Sequence, residues 1–441
     1  MNEIEIVLLL LVAVTVLATV ARTVSVPYPV LLVVGGLALG LVPGLPHVEM
    51  EPEIVFLLFL PPLLFVAAFF SSPRDLKANV RPIGLLAIGL VLFTTLVVGA
   101  VVHALLPELG WPVALALGAI VSPTDAVAAT AVFRRLGVPR RIVTVLEGES
   151  LVNDATGLIV YRAAVAAVVT GAFSLGEWGL RFVLVAAGGV VFGLLVGWCV
   201  AWIWRRLHDA VTSITVSLLA PYAAYLPAEH LGVSGVLATV VAGLYIGWAW
   251  PRVLTGEAAS ETRLQGRAVW HVFEFVLNGL VFVLIGLQLP TILSHLDRPI
   301  GELAAIGGLI GLATTATRIV WVFPTTYLPR WLSPSLRARD PSPPWQWVVI
   351  LSWSGMRGVV SLAAALALPR TVADGSPLPG RDLVIFLTFC VILVTLVGQA
   401  LTLPWLIRRF ELGVDGNEEK EEALARAVAA DAAVARIDEL E

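Results

Sequence analysis

Apolar residues dominate the chain in runs of roughly 17–29 residues, long enough as helices to cross a hydrocarbon core about 30 Å thick. Charged residues and Pro/Gly-containing breaks mark off about thirteen of them, near residues 4–20, 26–43, 54–70, 82–106, 112–133, 145–169, 180–204, 210–226, 231–250, 268–290, 300–328, 345–368 and 383–407. Lipid offers the backbone no hydrogen-bonding partner, so each run is predicted to be helical. The first run is too long in its apolar part, and lacks the small-residue cleavage pattern, for a removable signal; it reads as a spanning helix. After residue 410 the pattern changes to the polar, Ala-rich "GNEEKEEALARAVAADAAVARIDELE", a short cytosolic helical tail over 411–441. The fold class is therefore an all-α polytopic membrane protein, with a membrane domain over 1–410.

An odd number of spans puts the termini on opposite sides. Arginine and lysine gather in one set of loops (Arg74, Lys77, Arg81; Arg134, Arg135, Arg140, Arg141; Arg205, Arg206; Arg337, Arg339; and the tail), while the other set holds Arg181, Arg298, Arg370 and Arg381. The basic set is cytoplasmic, which places the N-terminus outside and the C-terminus inside. Trp111, Trp178, Trp331, Trp345 and Trp405 fall at the predicted interfaces.

Composition agrees: 58% of the 441 residues are hydrophobic and 14% charged, with mean hydropathy +0.92. The net charge of -4 is not gathered into a basic patch, so no nucleic-acid partner is expected. Cys199 and Cys390 lie inside apolar runs without metal-like spacing and read as packing residues. Only Lys77 and Lys420 are lysine, which with abundant Ala and Gly points to a GC-rich bacterial genome.

Against this background a few polar residues stand out, because an ionisable group at mid-bilayer costs at least about 2.5–3.5 kcal/mol and needs a partner, a cavity or a task. Asp125, Glu149, Asp154, Arg318 and Arg357 fall near the middle of spans. In "GESLVNDATGL" Asp154 lies roughly 14 Å into the sixth span. Ser150 shares its face, and Glu149 and Asn153 share the neighbouring one. Such oxygen donors suit a hard monovalent cation. Glu147, on nearly the same face as Asp154, is a solvated residue near the cytosol or lines an access funnel. In the fifth span "IVSPTDAVAAT" predicts a break, since Pro123 lacks an N–H while Thr124 and Asp125 cap a new helix. In the twelfth, Ser354, Gly355 and Gly358 flank Arg357. If spans 2–6 and 9–13 are inverted five-helix units, both breaks fall in the fourth helix of a unit, the pattern of a secondary transporter with its site at the midplane.

Together "FLPPLLF", "SPTDAVA", "GESLVNDATGLIVYR", "LNGLVFVLIGLQL" and "SGMRGVVSLAAALALP" resemble, in order over residues 1 to about 410, the bacterial cation:proton antiporter-1 family, relatives of the eukaryotic sodium/hydrogen exchangers. The resemblance implies a homodimer in the bacterial inner membrane, with dimerisation helices and a six-helix ion-carrying core working by elevator-like alternating access. It makes Asp154 the binder of cation or proton, Asn153 its partner as in the electroneutral branch, and Ser150 and Thr124 cation ligands. Asp125 and Arg357 then compensate charge where spans 5 and 12 cross. Glu149 bridges to a basic residue, Arg318 before Arg357. Where relatives usually carry an acid, this chain has Val66. That departure implies weak Na+ binding or a larger preferred cation.

The expected activity is exchange of Na+ or Li+ for H+, one for one, in pH and sodium homeostasis, with no cofactor. A K+/H+ exchanger with the same residues is the alternative, and a cation channel a more distant one. An intramembrane enzyme is disfavoured, because "GESLV" lacks the last glycine of a nucleophile elbow and no histidine lies in a partnering run.

Overall fold

The computed structural model describes residues 3–24, 26–42, 52–171, 174–207, 209–253, 257–294, 299–373, 375–412 and 416–438. The expected end of the second span at residue 43 and the loop residue Arg298 lie outside them. Among the described residues there is no strand, only an isolated bridge between Thr371 and Pro377.

Besides the short turns Pro73–Ala78, Pro107–Leu109 and Pro334–Arg339, the helices in chain order are α1 (Glu3–Val24), α2 (Tyr28–Gly40), α3 (Pro52–Phe70), α4 (Val80–Leu105), the broken pair α5a (Gly110–Val121) and α5b (Val127–Leu136), α6 (Arg140–Thr170), α7 (Leu175–Trp204), α8 (Ala210–His230), α9 (Gly235–Val253), α10 (Glu257–Ser294), α11 (Ile300–Leu332), the broken pair α12a (Trp345–Trp353) and α12b (Val359–Leu366), α13 (Arg381–Arg409) and the tail helix α14 (Gly416–Asp438). By length and composition nine of the described helices are apolar enough to cross a membrane, and α1, α2 and α5a are shorter apolar helices. Each apolar run of the sequence thus has a helical counterpart.

Local chemistry explains the interruptions. Pro123 has no amide hydrogen to continue α5a, and the chain stays non-helical from 122 to 126. Residues 354–358, rich in Ser and Gly, do the same between α12a and α12b. The two unwound stretches meet: the Asp125 amide donates to the Met356 carbonyl at 2.7 Å. A Cβ on Gly358 would overlap the Asp125 carboxylate, so only glycine lets the two stretches approach this closely. Single π-helical turns interrupt α3 at Val55–Phe59, α4 at Leu85–Leu90 and α13 at Val394–Gln399.

Around this crossing α4, α5a, α6, α11, α12b and α13 pack on one another, while α2 packs along α10 and α9 along α3, α7 and α8. The α2–α10 contact is a backbone-to-backbone approach. Gly36 faces the Val283 carbonyl, and Gly286 faces Val33 and Leu37, small residues serving as they do in other membrane helix pairs.

Candidate functional site

Helix α6 carries four polar residues in two adjacent strips, and the structure gives each strip a different surrounding. Glu149 and Asn153, both 1% exposed, point into protein. Arg318 of α11, fully buried, makes a bidentate ion pair with Glu149: Nη2 donates to Oε2 at 2.7 Å and Nη1 to Oε1. Its Nε donates to the Leu351 carbonyl at 3.2 Å. The Thr124 hydroxyl donates to Glu149 Oε1 at 3.0 Å. Asn153 Nδ2 donates in turn to Thr124 Oγ1 at 2.8 Å and to the Thr124 carbonyl at 3.2 Å. Asn153 Oδ1 is buried with no partner among the described residues.

The second strip, Ser150 and Asp154, faces a cavity of about 180 Å³. Thr124, Asp125, Gly358 and Val66 share its wall. Ser150 Oγ accepts from the Ala126 amide at 3.4 Å, which ties the strip to the start of α5b. Asp154 is 7% exposed, and its carboxylate makes no hydrogen bond or ion pair to another described residue. Toward the Arg140 end of α6 the same cavity reaches Glu147, Arg134, His271 and Glu274. Arg134 stands 4.0 Å from Glu147, and His271 3.7 Å from Glu274.

Arg357 does not contact Glu149. Fully buried, it donates through Nε to the Val121 carbonyl at 2.9 Å and through Nη1 to the Gly355 carbonyl. It therefore sets a positive charge on the C-terminal end of α5a. Asp125 sits at the opposite sort of terminus, accepting from the Val127 amide at 2.8 Å where α5b begins.

Every candidate from the sequence falls within this crossing region, though not on one surface. Thr124, Asp125, Ser150 and Asp154 line the cavity, whereas Glu149, Asn153, Arg318 and Arg357 lie behind it. The sequence did not single out Asn278 of α10, 4% exposed, nor His271 and Glu274 on the same helix, all of which line the cavity. A lone amide in the apolar run "FVLNGLVFV" was the available signal. Among the described residues no cluster of His, Cys, Asp and Glu is built to hold a metal ion.

Comparison with known proteins adds to this geometry. Residues 7–409 match the family described as sodium/hydrogen exchanger, transmembrane. The chain is 39% identical over 436 residues, 97% of its length and 79% of the other's, to a Mycobacterium tuberculosis protein named as an uncharacterized Na+/H+ exchanger. It is 38% identical over 391 residues to the sodium, potassium, lithium and rubidium/H+ antiporter of Bacillus pumilus, covering 86% of this chain and 58% of that one. In fold it is similar to the structure of a sodium proton antiporter from Methanocaldococcus jannaschii, with a TM-score of 0.72 at 22% identity, covering 93% of this chain and 98% of that one.

Proposed function

The chain belongs to the sodium/hydrogen exchanger family, and on that premise we propose that it exchanges Na+ or Li+ for H+ at the Asp154 carboxyl group. The observation that carries the reading is the state of that carboxylate. Glu149 is paired with Arg318 and Asp125 is bonded to a helix terminus, but Asp154 faces a cavity without a protein partner. A desolvated carboxylate favours any occupant that neutralises it, and a proton and a monovalent cation exclude each other there. Ser150 and Thr124 offer further oxygens from the same wall.

In this mechanism the neutral site, protonated or cation-loaded, crosses, and the empty charged site is held back. Asn153 adds no second titrating charge, so the exchange is one for one. Arg357 and Asp125, placed against opposite helix ends, stabilise the unwound backbone through both states. The wider picture keeps to the resemblance: thirteen spans in inverted five-helix repeats, the C-terminus cytoplasmic, a six-helix core moving against dimerisation helices, and a homodimer in the bacterial inner membrane.

A specific observation favours a second reading, K+/H+ exchange. Val66 lines the same cavity as Asp154, so the position where relatives usually carry an acid supplies no oxygen. Less compensation for lost hydration disfavours the more tightly hydrated Na+. The experiment that tests both readings is exchange by purified protein in proteoliposomes, with Na+, Li+ or K+ outside and internal pH recorded. Asp154→Asn is expected to fold and to move neither proton nor cation. Normal cation-driven pH change in that variant sinks the assignment of Asp154.

A further inference from the structure

Apart from the Asp154 cavity, a smaller one of about 70 Å³ opens among the ends of α4, α6, α11 and α12a, on the Arg140 side of the bundle. Its walls are largely apolar, with Leu86, Val322 and Trp347 among them, yet three arginines reach it: Arg81, Arg141 and Arg330. Two of these share a single counter-ion. Arg141 Nη2 donates to Asp340 Oδ1 at 2.7 Å and its Nε to Asn79 Oδ1 at 3.1 Å. Arg330, 6% exposed, pairs with the other oxygen of Asp340 and donates through Nε to the Asp340 carbonyl at 3.1 Å. Arg81 is different: among the described residues its guanidinium has no hydrogen-bond or ion-pair partner, and Nη1 is shut off from solvent. Three guanidinium groups reach the cavity and one carboxylate pairs with two of them, which leaves two positive charges in excess. Nearby Arg140 changes nothing in that balance, being paired with Asp75 at 2.7 Å.

The depth of the cavity follows from its surroundings. Trp331, 74% exposed, directly follows the lining residue Arg330, and Trp345, 54% exposed, precedes the lining residue Trp347 by two positions, with the exposed Leu328 and Leu332 on the same end of α11. Exposed tryptophans at helix ends mark the membrane–water interface. A cationic, mostly apolar cavity at that level matches the basic pockets between membrane helices that take up lipid headgroups.

We propose that this cavity binds the phosphate of an anionic phospholipid, with Arg81 supplying the free donors and Arg141 and Arg330 the surrounding positive field. Inorganic phosphate shares the chemistry, but the apolar walls and the interfacial depth favour the lipid. The bound headgroup would clamp together the ends of four helices, one of which, α6, carries Asp154 thirteen residues, or about 20 Å, farther along. The inference does not depend on what Asp154 carries, so a failure of cation exchange would leave it untouched.

The test uses the full chain, purified in detergent and stripped of lipid, then titrated with phosphatidylglycerol, phosphatidylcholine or inorganic phosphate. Retained lipid is counted by native mass spectrometry, and melting is followed in parallel. Phosphatidylglycerol is expected to be retained and to raise the melting temperature, with phosphatidylcholine and phosphate doing neither. Arg81→Gln is expected to weaken that retention about tenfold through loss of charge-assisted hydrogen bonds, and Arg81→Lys to weaken it less. Equal retention of the two lipids, or undiminished retention by a folded Arg81→Gln variant, overturns the proposal. So does equal stabilisation by inorganic phosphate, which assigns the cavity to a free anion. If Arg81→Gln does not fold, the headgroup comparison on the parent decides.

Discussion

Replacing Arg318 by methionine keeps a long unbranched side chain between α6, α11 and α12a and removes only the guanidinium. What is lost can be read from the contacts. Glu149 gives up both arms of the ion pair and keeps one donor, the Thr124 hydroxyl, while the Leu351 carbonyl loses its bond to Nε. Removing one member of a buried pair typically costs about 3–5 kcal/mol. With roughly 1 kcal/mol more for the orphaned carbonyl, the expected deficit is about 4–6 kcal/mol. Melting of purified parent and Arg318→Met in one detergent measures this. A Glu149→Gln/Arg318→Met double variant should recover most of the loss. An Arg318→Met variant that melts with the parent, or a double variant that melts no higher than Arg318→Met, would refute the reasoning.

Val66→Glu should lower the KM for Na+ relative to K+, because it puts a carboxylate on the wall of the Asp154 cavity; a well-folded variant with both KM values unmoved would show that position 66 does not act on the ion. Gly358→Ala should cost about 1–3 kcal/mol as its methyl group meets the Asp125 carboxylate, and melting indistinguishable from the parent would contradict the close crossing. Burial works against the charge of Asp340, but Arg141 and Arg330 outweigh it and hold the carboxyl group below the usual range. The stability it adds is therefore complete above about pH 4 and lost as pH falls through the lowered folded-state value. The gap in melting temperature between parent and Asp340→Asn should be constant from pH 8 to pH 5 and close in stronger acid; a gap that widens there would be inconsistent with the pairing.

What the sequence reveals is what depends on neighbouring residues. The break at Pro123 follows from a missing N–H, and the shared face of Ser150 and Asp154 follows from helical spacing; both are seen in the structure. Partners far apart in the chain are legible only as unpaired needs. Glu149 requires a cation, and the sequence offers two of nearly equal depth, whereas the fold brings Arg318 to it across 169 residues and turns Arg357 onto helix-end carbonyls. Asn278 was hidden for a similar reason, since one amide in an apolar helix takes on meaning only when the opposite wall is known. The π-helical turns have no signal of their own: "LLAIGL" in α4 is ordinary helical sequence, and its extra residue per turn is set by packing against α6 and α11. The excess charge at Arg81 depends on which arginines Asp340 reaches, a matter of loop placement.

The hydroxyl of Thr124 has one proton, and that proton points at Glu149. Asn153 is therefore obliged to turn its NH2 toward Thr124 and its oxygen away, so the row Asn153, Thr124, Glu149 has a polarity, with every donor aimed at the same end. An ionised aspartate at 153 has no proton to offer and would compete with Glu149 for the only one available. The Glu149 carboxylate would then lose its third donor and be left to Arg318 alone. An acid at position 153 is thus not a local change of charge. Such a substitution has to rewire positions 124 and 153 together, because the residue at 153 sets the direction of the bonds that tie α6 to the break in α5 and give Glu149 its third donor.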